Sequence, residues 1–114
     1  MPKKANAIKK IQNSLIVGLV VEIIEENNSI IAYCPALELS SYGKDLEIAK
    51  KRFEKEVEIF FIETARKGTL EKYLLKLGWT LKSKPIPQYI PPVNINQLIM
   101  GTNSFMENVA IPVC

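Results

Sequence analysis

Leu15-Ile-Val-Gly-Leu-Val-Val-Glu-Ile-Ile24 decides how the rest of the chain is read. In an extended conformation Leu15, Val17, Leu19, Val21 and Ile23 share one face; Ile16, Gly18, Val20, Glu22 and Ile24 share the other. Both faces are largely apolar and β-branched residues dominate, the pattern of a central strand covered on two sides. The run is far below the roughly 20 apolar residues that span a bilayer. The lysines before it and the glutamates Glu22, Glu25 and Glu26 after it frame no small-residue cleavage site, so it does not read as a secretion signal. Neither export nor a membrane span is expected, and a cytoplasmic setting is.

Downstream, Glu25-Glu-Asn-Asn-Ser29 is a turn cluster that joins this strand to a second, Ile30 to Tyr33, as a hairpin. Pro35 has no amide hydrogen to give a ladder, so pairing should break there and resume over Leu37 to Tyr42. Gly43 turns the chain into the clearest helix, with Asp45 as N-cap, Arg66 and Lys67 in the last turn and Gly68 beyond it. Leu46, Ala49, Phe53, Val57, Phe60 and Thr64 form its core stripe at helical spacing. Ile48, Ile59 and Ile62 fall about 120° to 180° away at 100° per residue, which marks them as a second face covered by a partner or a neighbouring subunit. A short helix from Thr69 to Gly78 and a strand at Trp79 to Leu81 complete a β-β-β-α-α-β order. The expected fold is α+β, with a three- to four-stranded, mainly antiparallel sheet and both helices packed on one face.

The flanks differ in character. Residues 1–14 read as a basic tail carrying Lys3, Lys4, Lys9 and Lys10, residues 15–82 as the domain, and residues 83–114 as an uncharged Pro-rich arm. Glu107 is the only charged side chain after Lys84, yet Ile, Val, Leu and Phe are frequent, unlike a disordered linker. A short helix is expected over Asn94 to Met100 and an edge strand over Glu107 to Val113, added to its own sheet or to a neighbour's. Phe105, Val109 and Ile111 are the arm's candidate contacts with a partner or another copy.

Composition narrows the chemistry. The chain has 114 residues, 47% hydrophobic and 24% charged, which suits one globular domain. Histidine is absent, which excludes a Ser-His-Asp triad and His-ligated zinc or haem. The two cysteines, Cys34 and Cys114, form no CxxC pair, so neither a metal site nor a disulfide framework is expected, and no cofactor. The net charge of +3 sits in the first ten residues; the rest carries 11 basic and 12 acidic groups. That distribution lacks the basic face of a nucleic-acid-binding domain and leaves only the tail to touch RNA.

The stretch Ile30-Ile-Ala-Tyr-Cys-Pro-Ala-Leu37 followed by Tyr42-Gly-Lys-Asp-Leu-Glu-Ile-Ala49 resembles the HicB-like antitoxin domain, whose signature runs yxAxxPxLxGxxxxGdTxeEA after a first hydrophobic strand. Ala32, Pro35, Leu37, Gly43, Leu46 and Ala49 match in order, and the likeness extends from about Leu15 to Trp79. The ending Leu-Leu-Lys-Leu-Gly-Trp79 is similar to a Bacteroidetes-type branch. Asp45 stands in place of the usual capping Thr, and Ile48 in place of the Glu that would complete a capping box. The resemblance implies a partly degraded ribonuclease-H-like fold, oligomerisation, and binding of a HicA-type mRNA-cleaving toxin. Many members add a carboxy-terminal DNA-binding module. Asn108 to Val113 is similar to its opening ribbon, but no basic residue follows Lys84, so direct DNA binding is not expected.

Metal-dependent hydrolysis needs several converging carboxylates. Glu22, Glu25, Glu26 and Glu38 are the candidates, with Asp45 committed to capping. Turn glutamates are ordinarily solvated, and no catalytic residue is assigned. The expected function is an antitoxin that neutralises a ribonuclease by occluding it. An orphan oligomeric interaction module of the same fold, or an RNA-binding protein using the basic tail, are the alternatives.

Overall fold

The computed structural model describes residues 6–92 and 104–112. Its element order is β1 (Ala7–Ile11), β2 (Ser14–Glu26), β3 (Ser29–Cys34), β4 (Leu39–Gly43), α1 (Leu46–Lys67), α2 (Leu70–Lys76), β5 (Thr80–Lys82), β6 (Gln88–Ile90) and β7 (Ser104–Pro112). The fold is α+β, and every strand pairing is antiparallel.

The 13-residue β2 organises the sheet. β7 pairs with it from Ser14 to Glu22. β1 pairs with Ser14 to Gly18, and β3 with Glu22 to Glu26. Since one edge accepts one strand at a time, β1 and β3 follow each other along the edge opposite β7. Val20 lies in the gap between them, and its N–H donates to Asn6 Oδ1 at 2.7 Å. A buried amide hydrogen that neither neighbouring strand can reach is thereby satisfied. The Asn27-Asn28 turn has φ of 50° and 64°, the left-handed pair that a two-residue type I′ hairpin requires.

The helices cover one face. Leu15, Val17, Leu19 and Val21 of β2 pack with Ile8, Ala32, Cys34 and Ile111 against Ala49, Phe53, Val57 and Phe61 of α1. The α1 stripe is therefore turned slightly from expectation: Phe61 is fully buried, while Leu46, in the first turn, is exposed. Phe60 sits at the margin, edge-on to Phe61 and to Tyr73 of α2 at centroid distances of 5.0 and 5.1 Å. Both ends of α1 follow the sequence: Asp45 Oδ1 accepts from Ile48 N at 2.9 Å, and Gly68 closes the helix at φ 70°.

Three expectations are corrected. Among the described residues the sheet has seven strands, not three or four. Residues 7–11 of the expected tail form β1, because Ile8 enters the core while Lys9 and Lys10 remain in water. The arm from residue 83, open at the level of sequence to its own sheet or a neighbour's, supplies β6 and β7 to its own sheet, where its apolar side chains find the core they need. β7 starts at Ser104 rather than Glu107, since β2 offers an edge as far as Glu22. The helix expected over 94–100 lies outside the described residues.

Candidate interaction surfaces

The residues on which the sequence resemblance rests have local structural tasks. Gly43 ends β4 beneath the first turn of α1. A Cβ there would lie 2.7 Å from Ile48 Cγ2 and 2.8 Å from the Ala49 backbone nitrogen, so only glycine lets helix and strand approach this closely. Ala49 is buried in that contact and Ile48 is half-buried over it. After Pro35 the chain turns, with the Leu37 N–H donating to Cys34 O at 3.3 Å, which drives Ala36 and Leu37 into the core. Trp79 Nε1 donates to Ala36 O at 2.8 Å across 43 residues and fastens the loop to the chain following α2.

The chemistry-bearing candidates do not converge. Glu25 and Glu26 flank the β2–β3 turn, Glu38 is exposed after the Pro35 loop, and Glu22 stands mid-sheet opposite Tyr33 and Ser104. Among the described residues no group of three Cys, Asp or Glu side chains is placed to hold a metal ion. Cys34 is fully buried, and desolvation pushes its thiol up to about 11 against the opposing pull of the Leu37 and Ala36 amides. It is a protonated core side chain at neutral pH. No helix among the described residues is long and apolar enough to cross a membrane.

The expected interface residues separate into two groups. Ile59 and Ile62 are 48% and 47% exposed, one turn apart on the outer side of α1. Leu75 and Tyr73 of α2 add apolar surface to the same layer. Ile111, by contrast, is 2% exposed, and Phe105 and Val109 pack against the core beside it. These three bind their own domain, because the β7 register turns odd-numbered residues towards the helices.

Glu107 shares that inward side, opposite Leu19, and is only 8% exposed. Burial raises its pKa first; Glu54 and Glu58 on α1 add to the rise, and Lys50 opposes it. Alternation alone puts this carboxylate on the side of Phe105, Val109 and Ile111, and the pairing with β2 turns that side inward.

The opposite face of the sheet is the second surface. The register places Ala7, Lys9 and Ile11 of β1, Ile16, Gly18, Val20, Glu22, Ile24 and Glu26 of β2, and Ser104, Met106, Asn108 and Ala110 of β7 there. Ile11, Ile16, Ile24 and, from β4, Tyr42 are exposed, while Val20 in the middle of β2 is buried, so the apolar residues left open on this side lie towards the ends of β2. A shallow groove of about 380 Å³ runs along this face, lined by Ala7, Lys9, Ile16, Gly18, Met106 and Ala110 among others. Searches against protein families, curated proteins and solved structures give no match.

Proposed function

We propose that this chain is a HicB-like antitoxin, a binding protein that occludes a HicA-type ribonuclease through the outer surface of its helix layer. The observation that supports this reading is the pair Ile59 and Ile62, two large aliphatic side chains half exposed on one face of a long helix whose other face is fully used by the core. Burying an isoleucine is worth about 1.5–3 kcal/mol, so the pair can anchor a protein partner. Pro35, Gly43 and Ala49, on which the sequence resemblance rests, shape the β3–β4–α1 unit. Residue identities at these positions serve the backbone, and the surface beside them is free to be specific.

The test is to seek a HicA-type toxin gene beside this chain's own and to coexpress the two. The wild-type chain should restore growth, and the Ile59→Glu/Ile62→Glu variant should not, while keeping its helical circular dichroism. Absence of such a toxin gene, or equal rescue by the variant, contradicts the reading.

A further inference from the structure

We propose that the Ser104–Glu107 end of β7 is a proton-operated flap, closed under α1 while Glu107 carries a proton and lifted from the sheet once it ionises. The device belongs to the domain itself and stands independently of the toxin reading.

Two features coincide at this end of the strand. The first is a thin place in the sheet. β1 pairs with β2 as far as Gly18 and β3 from Glu22 onward, so between those points β7 is the one strand beside β2 among the described residues. The Val20 N–H points away from β7 to Asn6, and by alternation the backbone groups of Leu19 and Val21 face Glu107 and Phe105. Those two pairs fasten the flap. Further along, β1 backs β2 on its other edge, and Val109 and Ile111 hold β7 in the core. Opening therefore stops near Asn108.

The second feature is a carboxylate turned inward. Glu107 is 8% exposed opposite Leu19, and the inner face of β2 offers it only Leu15, Val17, Leu19 and Val21. The other element packed on β7 is α1, which presents Lys50, Glu54 and Glu58 at four-residue spacing beside the buried Ala49, Phe53 and Val57. Lys50 Nζ lies 4.6 Å from the centre of the Phe105 ring. The ion pairs among the described residues join Glu63 to Arg66 and Lys67 and do not reach Glu107. An ionised Glu107 is thus a desolvated charge without an ion-pair partner, set beside two further carboxylates and one ammonium. Burial first, then Glu54, favours its protonated form; Lys50 opposes them and Glu58 adds to them. Lifting the end of β7 returns the carboxylate to water, parts it from both α1 glutamates and bares the Leu19–Val21 edge of β2.

Native-state amide hydrogen exchange on the full chain between pH 5 and 8, read residue by residue by NMR and corrected for the intrinsic exchange rate, tests the proposal. The closed state binds the proton more tightly, so the opening constant rises as pH passes through the raised value, by at most about tenfold per pH unit for one proton. The Phe105 and Glu107 amides should show a rise of at least about threefold across the range, and the Val109 and Ile111 amides none. Glu107→Gln should abolish the rise while leaving the circular dichroism unchanged. At pH 8, Lys50→Met should increase opening at Phe105 and Glu107, and Glu54→Gln should decrease it. An equal rise at all four amides means that β7 opens only with the whole domain, and overturns the proposal. A flat response at Phe105 and Glu107, a rise that survives Glu107→Gln, or charge variants of the opposite sign overturns it as well.

Discussion

At Gly43 a single hydrogen in place of a side chain sets the distance between sheet and helix. Gly43→Ala must displace Ile48 or the first turn of α1, and should destabilise by about 1–3 kcal/mol, the cost of overpacking a filled site. Urea denaturation measures this directly. Cys34 makes the opposite point, that a nucleophilic residue type can be chemically silent. In a Cys114→Ser background, a thiol reagent at pH 8 should label Cys34 only as the protein unfolds, since the group is buried and titrates near 11. Prompt labelling under native conditions contradicts its placement. Glu107 carries a third prediction, with a defined sign. Its pKa is raised in the folded state, so at intermediate pH the native protein binds more protons than the unfolded chain. Its contribution to stability is thus most favourable below the ordinary glutamate range and is lost as pH rises through the raised value. Glu107→Gln should therefore gain stability relative to wild type as pH increases from 4 to 8. A difference that shrinks over that interval contradicts the assignment.

At the scale of elements, the parts that follow a local rule were legible. β2 to α2 announce themselves through alternation, the Asn-Asn turn, the Asp45 cap and the Gly68 stop. The parts that depend on a distant edge were not. β1 buries only Ile8 from its five residues and is otherwise lysine-rich, so it has no periodicity to read. β6 and β7 lie among prolines that argue against central strands, yet both are admitted by register. β7 faces β2 so that Pro112 opposes Ser14, whose backbone groups point to β1, and the missing donor of Pro112 points away from the ladder. Where two strands share one edge of β2, a side chain completes the ladder. Asn6→Ala should leave the Val20 N–H unpaired and cost about 1–3 kcal/mol, detectable as lowered stability and faster exchange at Val20. Unaltered exchange there would mean that the bond is not holding the gap.

For the whole molecule, the distribution of apolar surface carries the functional argument. One sheet face and one helix face make the core, and the two faces left over are themselves rich in isoleucine. The candidate site was half legible: the Ile59 and Ile62 spacing placed them opposite the core stripe, and they are exposed. Ile48 followed the same arithmetic but is drawn over Gly43, a tertiary contact that spacing along one helix does not report. Phe105, Val109 and Ile111 looked available only because the strand they pair with was unknown at the level of sequence.

The central claim is that the chain neutralises a ribonuclease by covering it. Titrating the purified chain into a purified HicA-type toxin, with a fluorescent RNA as substrate, tests this most directly. The account predicts that cleavage falls linearly to zero at a fixed stoichiometric ratio and persists at that ratio when Ile59→Glu/Ile62→Glu replaces the wild type. Undiminished cleavage in the presence of excess wild-type chain would contradict it.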